Sequence, residues 1–438
     1  MGNTRFHDAT IARAHRSGGR RVTRRAAPVH YPVALTIAGT DSGGAAGVQA
    51  DLKTMETCGA YGTSVVTSVT AQNTRGVHGV HHLPPEDVTA QFDAVTDDYD
   101  VRAAKTGMLG TPDTLEAVVA AVADFDGPLV VDPVLVATAG DALADDSVAA
   151  AYDTLFAHAT LLTPNASEAA ALLDTAIETR SDAVAAAEAL RAEGADAVLL
   201  TGGEPYADDA ETAVDVLVTA DGTRTFANER VATERTHGSG CTISSAITAR
   251  LARGDDLATA VETGIDVVAR AIRYPHAVGG ATGSVHHLAT LRNDAARAET
   301  AESVRDLDGI ESAIAAAGAT PHAESLRDIA VSGAEGCVHF GAESAPAELL
   351  LAARERDPAL RYALTVHFDA TTLNAPICAP DSSLSAVERV ASAFEAADGD
   401  VPPILVDPVP DGADVATAFA ADPDTLRSRL AASDDRPD

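Results

Sequence analysis

Tryptophan is absent from the 438 residues, and aromatic residues as a whole make up only 4%. Any core must therefore be aliphatic. At 46% hydrophobic content there is enough such material for two or three domains of about 150 residues each. Lysine is almost as scarce, with Lys53 and Lys105 the only two. Basic residues number 31 against 65 acidic, a net charge of −34, which argues against nucleic acid and anionic membranes as partners. The four cysteines (Cys58, Cys241, Cys337, Cys378) lie far apart with no CxxC spacing, so neither a disulfide framework nor a zinc site is suggested. No apolar run approaches the roughly 20 residues needed to cross a bilayer, and the N-terminus has no hydrophobic signal core. The expected location is the cytoplasm.

The acid is spread along the whole chain, and alanine is abundant. Such a surface resembles that of proteins from extreme halophiles, where salt screens the self-repulsion. Residues 1–30 contrast with the rest. They carry Arg20, Arg21, Arg24 and Arg25 beside Ser17-Gly18-Gly19, and read as a basic disordered tail or an extension upstream of the true start.

From residue 31 the pattern alternates strand and helix. A strand at Val33–Ala38 runs into Gly39-Thr40-Asp41-Ser42-Gly43-Gly44, and a helix starting near Ala45 carries Gln49, Asp51 and Lys53. This is neither a Walker loop nor GxGxxG. A strand at 64–70 ends in Ala71-Gln72-Asn73-Thr74. Gln72 can donate and accept at once, which suits an aminopyrimidine edge, though a turn glutamine is the plainer account. Helix 85–98 precedes Lys105-Thr106-Gly107-Met108, where Met108 lines an adaptable pocket or fills core. Helix 112–124 leads to strand Leu129–Val131 and to Asp132-Pro133-Val134, and an aspartate there is placed for Mg²⁺. Strand 160–162 ends in Thr163-Pro164-Asn165-Ala166-Ser167-Glu168. Asn165 and Glu168, three apart, offer two oxygens on one face or simply cap a helix. Helix 183–193, strand 197–200 and the turn Thr201-Gly202-Gly203-Glu204 follow. Then comes a hairpin at 214–219 and 223–227 about Asp221-Gly222. Val285-His286-His287 closes the region, and adjacent histidines do not share a helix face. Apolar strands separated by helices imply an α/β fold, a mostly parallel sheet covered on both sides, with its polar loops converging on one cleft.

The organising stretch is Thr236-His237-Gly238-Ser239-Gly240-Cys241-Thr242, a glycine loop opening a buried helix. Amides at a helix start attract an anion, and Cys241 in the first turn is expected to have a lowered thiol pKa. An anion cradle beside a thiol suits phosphoryl transfer. A plain glycine loop with a small buried cysteine is the alternative on this stretch alone.

Eight segments taken together resemble the hydroxymethylpyrimidine/phosphomethylpyrimidine kinases, within the ribokinase-like superfamily. They are Thr36-Ile-Ala-Gly-Thr-Asp41, Gly47-Val-Gln-Ala-Asp-Leu-Lys-Thr54, Gly59-Ala-Tyr-Gly62, Ala71-Gln-Asn-Thr-Arg-Gly76, Lys105-Thr-Gly-Met-Leu109, Val131-Asp-Pro-Val134, Thr163-Pro-Asn165 and His237-Gly-Ser-Gly-Cys241. The resemblance implies ATP and Mg²⁺, and two successive phosphorylations, of hydroxymethylpyrimidine and then of its monophosphate, in thiamine biosynthesis. It implies that Gln72 holds the pyrimidine, that Gly39, Met108 and Val134 line the pocket, and that Asp51 fixes the substrate end. It places Asp132 and Glu168 near the metal, and Asn165, Thr201 and Gly202 near the nucleotide. Gly238, Ser239 and Gly240 form the anion hole, Cys241 takes the hydroxyl proton, and the enzyme is a homodimer. Two departures stand out. The first loop reads Asp41-Ser-Gly-Gly-Ala-Ala-Gly47 where the family usually has Asp-Pro-Ser-Gly-Gly-Ala-Gly. Thr138 and Thr201 stand where lysine is common, in keeping with the general loss of lysine.

The domain reading is a kinase domain at 31–290, a charged linker at 291–307 and a second, smaller α/β domain at 308–438. That domain is expected to begin with a helix at 310–317. Phe340-Gly-Ala-Glu-Ser344 and Asp357-Pro-Ala-Leu-Arg361 resemble the thiamine-phosphate synthase domain fused to archaeal kinases of this type. Thr365-Val-His-Phe368 replaces that family's asparagine–isoleucine–arginine–tyrosine segment, and its other cationic stretches have no counterpart. The second domain is therefore a divergent synthase or a binding and regulatory remnant. Pyridoxal kinase, which shares the fold and sometimes the cysteine loop, and a non-catalytic metabolite sensor are the competing readings of the whole chain.

Overall fold

The computed structural model describes residues 31–135, 146–202, 212–276, 278–280, 283–310, 313–332, 337–367, 377–378, 383–396, 404–407 and 415–430. The basic stretch 1–30 and Thr138 lie outside them.

The first unit runs β1 (Val33–Ala38), α1 (Gly47–Thr57), β2 (Tyr61–Val66), β3 (Ser68–Asn73), β4 (Gly76–His82), α2 (Pro85–Thr96), β5 (Val101–Thr106), α3 (Pro112–Val122), β6 (Leu129–Val131), α4 (Asp146–Phe156), β7 (Leu161–Leu162), α5 (Ala166–Leu173), α6 (Arg180–Ala192), β8 (Val198–Leu200), β9 (Thr212–Thr219), β10 (Gly222–Glu229), α7 (Ser239–Ala252) and α8 (Leu257–Arg273). Its eight-stranded sheet has the order β10-β9-β8-β7-β6-β5-β1-β2. The pairs from β2 across to β8 are parallel, and β9 and β10 form an antiparallel edge. Central strands such as Leu129-Val130-Val131 and Val198-Leu199-Leu200 are buried at every position, as helices on both faces require. The single strand expected at 64–70 is two strands. β2 stays in the sheet, the chain turns at Thr67, and β3 leaves to pair with β4 in a separate antiparallel ribbon.

Helix ends follow their sequence signals. Thr111 caps α3, Asp256 caps α8, and Thr179 with Asp182 forms a capping box on α6. α7 is buried from Thr242 through Ala249, which its small Ser, Thr and Ala side chains allow. At Gly264 of α8 a Cβ would lie 2.6 Å from the Ile247 side chain, so the glycine sets the close α7–α8 approach.

The stretch read as a linker is helix α9 (Ala289–Asp308). It lacks a strong apolar stripe, which is why its sequence reads as linker. Yet Thr300, Val304 and Leu307 are buried against the second sheet, where Gly318 lets Val304 approach. Within 310–317, read as a helix, residues 313–317 belong to strand β11 (Ala313–Ala319). Alanine-rich segments carry little β signal, and pairing with neighbouring strands decided the outcome. The rest follows as β12 (Ile329–Ser332), β13 (Val338–Phe340), α10 (Ala345–Arg356), β14 (Tyr362–His367), β15 (Ile377–Cys378), α11 (Ala386–Ala396), β16 (Ile404–Asp407), β17 (Val415–Ala420) and α12 (Pro423–Leu430). Its seven-stranded sheet, β13-β12-β11-β14-β17-β16-β15, is antiparallel except for the β15–β16 pair. One core joins Leu349, Leu350 and Phe419, and another joins Val304, Leu364 and Leu426. The second unit is thus an α/β layer of its own.

Candidate active site

The first loop leaves the C-terminal end of β1 and is organised by Asp41. Its carboxylate accepts from the amides of Gly43 (2.8 Å), Ala45 (2.9 Å) and Ala46 (2.8 Å), and lies 3.4 Å from His237 Nε2. Burial alone would raise this carboxyl, but the His237 contact and the three amides outweigh it and hold the group below its ordinary value. Gly39 donates to the Met108 carbonyl (3.1 Å), and a Cβ on Gly39 would lie 2.5 Å from the Met108 methyl. Gly39 and Met108 are therefore brought together as expected. Gln72 sits on the β3 ribbon rather than on the parallel sheet. Ser42 clamps it there, donating to the Gln72 carbonyl (2.7 Å) and accepting from its amide (2.8 Å). The Gln72 side-chain nitrogen then lies 3.4 Å from His237 Nε2. Val134 is half-buried beside Asp132, to whose carbonyl its amide donates.

The glycine loop meets this first loop. Gly238 has φ +89°, and any Cβ there would collide with the Ala45 carbonyl oxygen. Only glycine satisfies both conditions. Ser239 N–H donates to Thr236 (3.0 Å), and Thr242 N–H makes the first helical bond, to Gly238 (2.9 Å). The Gly240 and Cys241 amides lie between them at the start of α7, where helix geometry leaves N–H groups unpaired. The Cβ position of Gly240 is 4.0 Å from Asp132 Oδ2, so the anion cradle and this carboxylate face one space.

Beneath the cradle lies a charge cluster that sequence reading missed. Lys105 is fully buried, 3.1 Å from Asp51 and 3.8 Å from Asp132. Thr36 (2.6 Å) and Ser245 (2.7 Å) donate to Asp51, and Ser244 (3.1 Å) donates to Asp132. Asp51 therefore does not reach the substrate end. It is sealed from solvent and bonded to Lys105 and two hydroxyls. The available signal was a lysine inside an apolar strand of a chain with only two lysines.

Cys241 corrects a second expectation. Loss of water around its sulfur pushes the thiol up to about 12. The Lys105 charge and the Gly47 amide pull it down, while Asp51 and Asp132 push it further up. Desolvation and the two carboxylates outweigh the Lys105 charge and the Gly47 amide.

Asn165 and Glu168 form a reciprocal capping box on α5, each side chain bonding the other's amide at 2.9 Å. The capping alternative describes them, and Asn165 Oδ1 is engaged. Burial and the Asp132 charge push the Glu168 carboxyl up to about 8. Asp132 is also raised, first by burial and then by Asp51, against the lowering effects of Lys105 and Ser244. Thr201 bridges to Asn165, and its amide donates to Pro164 (2.9 Å). The Gly202 amide donates to Asp215 (2.6 Å), and no Cβ would fit there against Val214. The strand ends carrying Asn165, Thr201 and Gly202 are thus adjacent. His287, outside the expected set, bonds the Ala45 carbonyl (3.0 Å) from the far side of the glycine loop.

An open, mostly parallel sheet with an antiparallel edge, a β-ribbon beside its loops and an anion cradle at a buried helix defines a ribokinase-like phosphotransferase. A profile of the phosphomethylpyrimidine kinase family matches residues 41–286. The chain belongs to that family. It is 42% identical over 261 residues to the hydroxymethylpyrimidine/phosphomethylpyrimidine kinase of Haemophilus influenzae, covering 59% of this chain and 97% of that one. The Streptomyces coelicolor kinase of the same description is 43% identical, with 59% and 96% covered. A thiamine biosynthesis bifunctional protein of Geobacter sulfurreducens is 42% identical over 266 residues, 60% of this chain and 54% of that one. Among solved structures, Bacillus subtilis pyridoxal kinase in an ADP complex superposes with a TM-score of 0.54 at 34% identity, covering 60% of this chain and 99% of that one. Staphylococcus aureus pyridoxal kinase with AMP-PCP and pyridoxal gives 0.55 at 31%, covering 60% and 95%.

Proposed function

We propose that the first unit transfers the γ-phosphoryl group of ATP to the hydroxymethyl group of an aminopyrimidine, and then to the resulting monophosphate. The observation that carries this is the Gly238–Gly240 loop at the start of α7, with the Cβ position of Gly240 4.0 Å from Asp132 Oδ2, in a chain aligned along nearly the full length of kinases named for this reaction. The amides of Gly240 and Cys241 stabilise charge on the transferring group. Gln72, with His237 behind it, reads the pyrimidine edge, and Met108, Gly39 and Val134 shape the apolar side. Asn165, Thr201 and Gly202 flank the nucleotide. Asp132 and Glu168 fit Mg²⁺, because two buried carboxylates raised by burial, with the Asp132 charge further raising Glu168, are relieved by a cation; two carboxylates plus substrate phosphates are an ordinary environment for that ion. Bound there, Mg²⁺ supplies neutralising charge to the phosphates. The resemblance gives Cys241 the hydroxyl proton. A thiol held near 12 favours instead a role for its amide and small size, and a loose phosphoryl transfer asks little of a base.

ATP turnover with hydroxymethylpyrimidine, with its monophosphate and with pyridoxal, each in high salt, tests the reading. Turnover of both pyrimidines is expected, and turnover of pyridoxal alone overturns it. The assembly we propose is a homodimer, to be measured by light scattering. For the second unit we propose a ligand-binding role in the same pathway rather than synthesis. Supplying pyrimidine diphosphate and thiazole phosphate should yield no thiamine phosphate, and its formation would reinstate the synthase.

A further inference from the structure

We propose that the cavity between the two units is a second binding site, for a small phosphorylated molecule carrying a planar ring. The proposal deepens the reading of the second unit as a ligand-binding module. The cavity holds about 560 Å³. From the first unit it is lined by Arg273, His276 and His286, and from the second by His322, Glu324 and Arg354. Two arginines against one carboxylate is the reverse of the balance elsewhere, in a chain with net charge −34. The neutral imidazoles add ring faces and donors, and an anion entering the cavity meets the two guanidiniums.

Arg354 carries the argument furthest. It is 8% exposed, and its guanidinium donates to the carbonyls of Leu360 and Pro321, while its Nε has no partner. Among the described residues no carboxylate lies within ion-pair distance of it. Carbonyls satisfy donors but do not neutralise a buried charge, whereas a phosphoryl oxygen does both. The second orphan is His286 Nε2, buried without a partner. Its ring lies 4.0 Å, centroid to centroid, from that of His276 at an interplanar angle of 47°. Across the cavity Tyr274 and His322 approach at 5.4 Å. These rings from both units supply the faces against which a planar ligand stacks. Glu324, at the exposed rim, is left for an amino or cationic substituent on the same ligand.

The test uses the full chain with both halves of its kinase site saturated, by AMP-PCP and by hydroxymethylpyrimidine. Calorimetric titration with inorganic pyrophosphate, and separately with a phosphorylated aminopyrimidine, should each show one saturable site, the ring-bearing probe binding more tightly. His322→Glu sits on the exposed face of the cavity and should weaken both probes by about tenfold or more through like-charge repulsion, leaving ATP turnover unchanged. His322→Ala should weaken only the ring-bearing probe. Unaltered binding in both variants overturns the location while leaving the ligand-binding reading intact. Absence of any site beyond the blocked kinase site overturns both. Equal affinity for bare pyrophosphate and the ring-bearing probe overturns the assignment of the ring.

Discussion

Lys105 is the side chain on which the catalytic end of the sheet rests. It is among the largest fully buried side chains, and Asp51 and Asp132 lie on either side of it. Burial by itself would favour the neutral amine, yet the two carboxylates and the Asp51 hydrogen bond raise it well above the ordinary lysine range. Removing one partner of a buried ion pair leaves the others uncompensated. Lys105→Met is expected to destabilise the protein by about 3–5 kcal/mol in denaturant unfolding, with the Lys105→Met/Asp51→Asn double variant costing less than the single. Cys241 invites a different expectation. General bases contribute about 10²–10⁴ in rate, and a thiol held near 12 is poorly matched to that task at neutral pH. Cys241→Ala should therefore lower kcat by only about tenfold. A loss of about 10³ or more would restore it as the proton acceptor. Neither behaviour follows from residue type, because both depend on which carboxylates the fold brings alongside.

At the scale of elements, two loops and a strap make the site. Gly238 is where the loops touch, and Gly238→Ala must move the Ala45 carbonyl away from its position. We expect kcat/KM to fall by about 10² or more, with a stability loss above about 1 kcal/mol by thermal unfolding. The strap is 284–287. Ser284 bridges to both His237 and His276, the Val285 amide donates to His237, and His287 holds the Ala45 carbonyl. Burial, then neighbouring positive charges, depresses both His286 and His287 to about 4 from an ordinary 6.5. The folded state therefore binds fewer protons than the unfolded chain between those values. The stability these histidines contribute is complete above about pH 6.5 and is lost progressively as pH falls toward 4. Unfolding midpoints across that range check it, and His287→Gln should flatten the dependence. The elements themselves were largely legible. β1 and β6 begin and end where the pattern placed them, because apolar runs and the glycine and proline turns that follow them act locally. The exceptions were the strand at 64–70, which splits into β2 and β3, and the alanine-rich segments of α9 and β11, which are decided by packing across the sheet.

For the molecule as a whole, net charge governs the conditions under which it folds. At −34 the surface repels itself, so the melting temperature should climb as salt is raised from low concentration toward the molar range, measured by circular dichroism. A flat response would remove the halophilic reading of the composition. The aliphatic core, the βα alternation, the glycine loop and the eight family segments were all determined by the sequence, since each rests on local periodicity or on a contiguous motif. The surroundings of Asp51, Asn165 and the Cys241 thiol were decided only by the tertiary structure, as was the cavity joining Arg354 to His286. Burial and the electrostatic field at a side chain depend on neighbours that lie tens to hundreds of positions away in the chain. Lys105 meets Asp51 across 54 residues and Ser245 meets Asp51 across 194, distances over which no sequence pattern carries information.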